Sequence, residues 1–270
     1  MSEDTARFVG DIPQHYDTGL GPVIFTDYAA DTARRTAACN PQRVLEIAAG
    51  TGIVTRCLRD ALPAGVSLTA TDFNAPMLDI ARTKFGAADQ VDFQTADATQ
   101  LPFADDSFDA VVCQFGLMFF PDKDKAHREA HRVLSSGGTY LLNVWDRMDY
   151  NPYSVIAHGV LGRFFPADPP QFYTVPFSCA QIDPIKESLI NAGFSDITIS
   201  VIRVEKEIAD TAAFARGLVY GNPAAEQIRS RQGAEPEQVF EAILQELRRS
   251  FGNSQRRMPM QSIMFSARKL

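Results

Sequence analysis

The chain has 270 residues, 45% hydrophobic and 22% charged, which suits one large α/β domain with a sizeable core and is short for two. Its formal net charge is −7 and its basic residues are scattered in small pairs such as Arg34-Arg35, so the concentrated basic face that grips phosphates is missing and no nucleic acid partner is expected. No run reaches the ~18–20 uninterrupted apolar residues of a membrane-spanning helix, and the polar start MSEDTARFVGDIPQHYD lacks a secretion-signal pattern, so a cytoplasmic protein without integral membrane association is expected.

From Val44 to about Val144 short apolar runs alternate with helical patterns. Arg43–Ile47 reads as a strand entering Gly-rich sequence, and Ile53, Val54, Cys57, Leu58 and Leu62 form one helical face that stops at Pro63. Val66–Thr71 is a second strand. Asn74 then reads as an N-cap, with Pro76 in the first turn of a helix. Val91–Thr95 and Ala110–Phe115 are the third and fourth strands, the latter apolar enough to be covered on both faces. A helix over Asp122–Leu134 is expected to end at Gly137-Gly138, before a fifth strand over Thr139–Val144. Strands alternating with helices through short joints imply a parallel sheet with right-handed crossovers.

The second half is different. Residues 147–180 carry Tyr150, Tyr153, Phe164, Phe165, Phe172, Tyr173 and Phe177 among several prolines, a composition expected of an irregular apolar insertion. Helix returns over Asp183–Ala192 with a Gly193 stop, then a strand over Ile197–Val204. The apolar phase of that strand slips between Val201 and Ile202, implying a bulge or burial on both faces. Asp210–Tyr220 and Glu235–Phe251 read as helices, and Met260–Ala267 as a closing strand.

Three acidic residues, Glu46, Asp72 and Asp97, fall at or just after strand ends at closely matched spacing. In a doubly wound sheet the carboxyl ends of the strands line the ligand crevice, so the three carboxylates converge beside the turn containing Gly50 and Gly52. Such a crevice suits a ligand with hydroxyls, amines and positive charge: one carboxylate bridges a ribose diol and another accepts from an exocyclic amine. Any one of these acids alone is better read as a cap or surface residue; the trio beside the glycine turn favours a site.

At these residues VLEIAAGTG resembles the glycine-rich first motif of class I S-adenosylmethionine (SAM)-dependent methyltransferases, and LTATDFNAPML the second. VDFQTADATQLPFADDSFDAVVCQFGLMFF with REAHRVLSSGGTYLLNVW is similar to the remaining motifs of the ubiquinone/menaquinone-biosynthesis-like small-molecule branch, and IPQHYD…YAAD to its lead-in; the likeness covers about residues 12–146. It implies a Rossmann-like, doubly wound seven-stranded α/β sheet, mostly parallel with the last strand antiparallel, in a single domain over 1–270. Core segments 40–146, 181–207 and 259–270 would carry helical and aromatic lid insertions over 147–180 and 208–258. It also implies S-adenosyl-L-methionine as cofactor and a small-molecule methyl acceptor; the acceptor's identity and the oligomeric state are not written in the motifs.

Carried over by resemblance, Glu46 organises the turn and the methionine amino group, and Asp72 holds the ribose. Phe73 and Met77 lie against the adenine, Asp97 and Ala98 read its edge, Gln114 and Phe115 border the methionyl part, and Tyr16 closes over the cofactor. Ala48 stands where the family often has its first glycine, an extra methyl that could narrow the turn.

Two other readings compete. Gly50-x-Gly52 with Asp72 mimics a dinucleotide fingerprint, which would make the chain an NAD(P)-dependent oxidoreductase, but Thr55 occupies the third glycine position and Glu46 would repel a pyrophosphate. A methyltransferase-like protein that binds SAM without catalysis is the other. No metal site is expected: His127 and His131 share a helix face, but Glu129 is wrongly placed for a zinc protease, so a helix-surface role is favoured. Cys39, Cys57, Cys113 and Cys179 lie far apart without a C-x-x-C pair and read as buried free thiols. For a hydroxyl acceptor a base would help; His158 is the best-placed histidine, although a packed insertion residue is the favoured reading of it.

Overall fold

The computed structural model describes residues 7–252 and 257–270. Seven strands form one sheet in the order β3-β2-β1-β4-β5-β7-β6. β1 (Arg43–Ile47), β2 (Ser67–Asp72), β3 (Val91–Thr95), β4 (Phe108–Gln114) and β5 (Leu134–Trp145) are mutually parallel. β7 (Met258–Arg268) runs antiparallel between β5 and β6 (Ser195–Lys206). This is the expected Rossmann-like sheet, with chain reversal confined to the last strand.

The order places the switch point at β1/β4, where β1 leads outward to β2 and β3 on one side and β4 to β5 on the other. Loops leaving the carboxyl ends of β1 and β4 therefore diverge and leave a crevice between them. Central strands are largely apolar inside: Val44, Leu45, Ala110, Val111, Val112 and Cys113 are all 0% exposed, and the buried polar exceptions, Glu46 and Gln114, fall toward the carboxyl ends.

Helices cover both faces. Before β1 come α1 (Ile12–His15), a π-helical stretch Tyr16–Phe25 and α2 (Thr26–Ala38); then α3 (Ile53–Ala61), α4 (Ala75–Arg82) and α5 (Lys123–Val133). α6 (Pro152–Phe164), α7 (Ile182–Asn191), α8 (Thr211–Tyr220), α9 (Ala224–Arg229) and α10 (Pro236–Phe251) follow. Asp122 and Asp210 cap α5 and α8, accepting from the backbone N–H of Lys125 and Ala213. Asn74 occupies the N-cap position of α4 without a side-chain capping bond; its Oδ1 accepts from the Phe8 N–H.

Several local expectations change. Gly137-Gly138 does not end α5, because β5 already begins at Leu134 and the glycines sit in its irregular start, where the register against β4 shifts. Gly137 adopts φ +82°, and a β-carbon on Gly138 would lie 2.8 Å from the Ser135 carbonyl. Nor is 147–180 irregular throughout. Pro152 occupies a first-turn position, where its missing N–H costs nothing, and α6 runs 13 residues before the other prolines intervene. β6 pairs with β7 without interruption through Val201 and Ile202; its register shift lies at Ser195/Thr198. Cys39 is exposed, at the cap position just past the end of α2, and Cys57 of α3 is only partly buried, at the edge of the core cluster it packs against.

The π-helical stretch gave no periodic signal. It contains Gly19, Gly21 and Pro22, and the proline lacks the N–H a regular helix would use. Gly19 packs directly on Gly217 of α8: a β-carbon on Gly217 would lie 2.9 Å from the Gly19 carbonyl carbon. Ion pairs Lys84–Asp17 and Lys206–Asp27 tie the N-terminal helices to the body.

Candidate functional site

A cavity of about 570 Å³ opens at the carboxyl ends of β1, β2 and β4. Of the residues singled out from the sequence, Tyr16, Ala48, Gly50, Asp72, Phe73, Met77, Asp97, Ala98, Gln114 and Phe115 line it. Glu46, Gly52 and His158 do not.

The turn after β1 is held by Asp72. Its Oδ2 accepts from the Gly50 N–H at 2.9 Å and its Oδ1 from the Asn74 N–H at 2.8 Å. Burial nevertheless raises the Asp72 carboxyl above the usual carboxylate range against those bonds. Asp97 closes its own turn, with Oδ1 accepting from the Thr99 N–H and hydroxyl at 2.7 and 2.8 Å. Gln114 is anchored from behind: Thr32 of α2 donates to its Oε1 at 2.9 Å.

Glu46 lies beneath the turn rather than in the cavity wall. It is 2% exposed and has no cationic partner among the described residues; the Thr55 hydroxyl is the group that favours its charged form, at less than good hydrogen-bond geometry, and the Thr51 hydroxyl is buried and unpartnered. Burial, with a further contribution from the Asp72 charge, pushes its carboxyl up to about 8. Gly52 serves packing: at φ +78° it precedes α3, and a β-carbon there would meet Ala81 Cβ of α4 at 2.9 Å.

Besides Gly50, two non-glycine residues hold left-handed backbone at the cavity, Ala48 at φ +57° and Phe115 at φ +55°. Such strain in non-glycine residues gathers at functional sites. The Phe115 N–H donates to the Asn143 carbonyl at 2.8 Å, and its ring stacks on Trp145 with centroids 3.9 Å apart.

The far end of the cavity is aromatic. Trp145 leads to Tyr153 of α6, and Phe172, Tyr173 and Phe177 follow, with Leu218 and Asn222 from α8 and the turn after it. Segment 147–180 was marked by its aromatics; Leu218, Asn222 and Phe25 were missed, because single residues in helical patterns announce nothing about which cavity they will face. Phe8 also lines the wall, its ring edge-on to Tyr16 and Phe119.

His158 lies on α6 away from this wall. Tyr153 faces the cavity, and five residues further along a helix is about 140° around it; the His158 Nδ1 is buried without a partner among the described residues. His127 and His131 also diverge, and His127 is not on the helix surface. It is 1% exposed, with Nδ1 2.8 Å from the Ser188 hydroxyl of α7, while His131 packs edge-on against Phe194. Among the described residues no group of three or more His, Cys, Asp or Glu is placed to hold a metal, and no helix is long and apolar enough to cross a membrane.

A family model for a methyltransferase domain matches residues 45–142. The chain is 40% identical over 111 residues to a demethylmenaquinone methyltransferase of Clavibacter sepedonicus, covering 41% of this chain and 44% of that protein. It is 33% identical over 170 residues to a ubiquinone/menaquinone biosynthesis C-methyltransferase of Pseudomonas paraeruginosa, covering 58% and 66%. The matches span about half the length of the first of these curated relatives. Among solved structures, the YcgJ protein of Bacillus subtilis superposes with a TM-score of 0.57 at 22% identity, over 90% of this chain and 98% of that one. That likeness establishes the fold.

Proposed function

The chain belongs to the class I SAM-dependent methyltransferase family, on its quinone-biosynthesis side, and from that premise we propose that it transfers a methyl group from S-adenosyl-L-methionine to an O, N or C atom of a small, predominantly apolar molecule. The observation that carries this reading is one continuous cavity with the glycine turn, Asp72 and Asp97 in its wall together with an aromatic region of matching continuity.

The residues present suit the cofactor. Glu46 offers a buried carboxylate without a cationic partner among the described residues, which an ammonium group would satisfy in both charge and hydrogen bonding. Asp72 and Asp97 would take the ribose hydroxyls and the adenine amine. Phe73, Met77 and Ala98 offer apolar faces to the ring; Tyr16, Gln114 and Phe115 would border the methionyl part. Ala48, Gly50 and Gly52 shape the turn. When bound, S-adenosylmethionine supplies an electrophilic sulfonium methyl.

The chain's own contribution is to hold an acceptor against that methyl and exclude water, which is catalysis by proximity and orientation. The ionisable groups in the described wall are Arg7, Asp72, Asp97 and tyrosines that burial holds protonated. The two aspartates are assigned to the cofactor and the tyrosines stay protonated, so the reading rests on positioning and places no dedicated base beside the acceptor, in the role considered for His158 or any other. Lid roles for 147–180 and 208–258 belong to the proposal, supported by Tyr153, Phe177 and Leu218 in the wall. So does a cytoplasmic setting, with which four free cysteines agree.

Calorimetric titration with S-adenosylhomocysteine tests the reading. Saturable binding is expected in the parent and its loss in Asp72→Ala, with thermal melting to verify that the variant is folded. No binding by the parent, or an unaffected variant, overturns it; binding of NADH instead would favour the dinucleotide reading.

A further inference from the structure

Two tyrosines from the same aromatic region treat their hydroxyls differently. Tyr173 donates to the Leu218 carbonyl at 2.5 Å, so its oxygen is committed to holding the segment to α8. Tyr153 lines the same cavity and is 3% exposed, and its hydroxyl makes no hydrogen bond to the described residues while not being sealed off among the fully buried orphaned atoms, so it opens to the cavity. Its ring is fully engaged, edge-on to Trp145 at 6.0 Å and to Phe214 at 5.9 Å and tilted against Phe177 at 6.4 Å. A phenol whose ring is locked in an apolar wall and whose hydroxyl opens to the cavity presents a fixed polar group to whatever fills that cavity, and a molecule that shuts out water there without replacing its hydrogen bond is penalised.

We propose that Tyr153 is the acceptor-positioning residue of this cavity, its hydroxyl donating a hydrogen bond to an oxygen of the bound acceptor while the surrounding aromatic rings hold the apolar body. This rests on the methyltransferase reading above and adds the group that sets the acceptor's orientation. Burial keeps the phenol protonated across the physiological range, which suits a donor and not a base. Tyr153 enters from the first turn of α6, with Pro152 beside it at the helix start, so the hydroxyl is carried by a rigid element. Wrong-way docking would leave the hydroxyl unpaired, and that penalty is what selects one pose.

The chain's single tryptophan, Trp145, lines the cavity and gives a fluorescence readout. Protein saturated with S-adenosylhomocysteine would be titrated with 1-naphthol, 1-methoxynaphthalene and naphthalene, which share a ring system and differ in the oxygen. The two oxygen-bearing probes are expected to bind about five-fold tighter than naphthalene in the parent. In Tyr153→Phe that preference should vanish while affinities for naphthalene and S-adenosylhomocysteine hold. Tyr173→Phe should keep the preference, since its hydroxyl is already committed. A parent that binds all three probes equally or not at all, or a Tyr153→Phe that retains the preference, overturns the proposal and leaves the cofactor reading intact. Failure of the parent to bind S-adenosylhomocysteine sinks the underlying reading, and this proposal with it.

Discussion

Ala48 and Gly116 meet across the floor of the cavity: a β-carbon on residue 116 would lie 2.6 Å from that of Ala48 and 2.9 Å from Cys113 Sγ. The methyl of Ala48 is accommodated only because its neighbour has none. Gly116→Ala should therefore destabilise the protein by about 2 kcal/mol through overpacking, and Ala48→Gly in the same chain should restore part of that loss. Denaturant unfolding of both single variants and the double variant checks the coupling; strict additivity would mean the two do not meet.

Ala48→Gly by itself should raise stability. At φ +57° alanine carries a steric cost of about 1–2 kcal/mol that glycine does not, offset in part by glycine's greater freedom when unfolded. The net gain, about 1 kcal/mol at most, corresponds to a rise of roughly 2–4 °C in Tm. A lower Tm would show that the methyl contributes packing worth more than its strain.

Glu46 should make the ligand-free protein less stable as pH rises. Its folded pKa, about 8, lies above the unfolded value, so the unfolded state ionises first. The stability cost is absent below pH 4.5, grows between 4.5 and 8, and then levels off. Glu46→Gln should flatten that decline and make the variant the more stable form at pH 9, while weakening S-adenosylhomocysteine binding at least ten-fold through loss of the carboxylate. Melting curves at pH 6 and 9 with and without ligand measure both; parallel pH profiles for parent and variant would refute the assignment.

His127 acts at the acid end. Burial lowers its pKa to about 4, so the neutral ring's contribution is fully present above pH 6.5 and is lost as pH falls from 6.5 toward 4. His127→Gln, which can keep a bond to Ser188, should remove much of the acid sensitivity in that window. Urea midpoints at pH 7 and 5 decide it, and an unchanged difference between them would rule His127 out.

The crossing of Gly19 and Gly217 fastens the N-terminal helix to α8 on the cavity's aromatic side. Gly217→Ala places a β-carbon 2.9–3.0 Å from the backbone of Gly19 and Leu20, and backbone yields poorly. A loss of about 2–3 kcal/mol is expected. Trp145 fluorescence should shift as well, because Leu20 and Leu218 beside the contact both line the cavity. Unchanged stability would mean the helices separate freely.

The alternation of Arg43–Ile47, Val91–Thr95 and the intervening helical faces made the order of the first five strands legible, since period and turn chemistry are local properties. Likewise Glu46, Asp72 and Asp97 could be recognised at strand ends before any coordinates. What needed the tertiary structure was direction and depth. Glu46 sits under the turn and not in the cavity wall; His158 turns away on the helix whose Tyr153 faces inward; Leu218 and Asn222 arrive from α8 and the turn after it, far along the chain. Each depends on how an element is rotated when it packs, which side-chain period leaves open. The π-helical entry packs Gly19 on Gly217, a contact between residues nearly two hundred positions apart, and no local pattern encodes it.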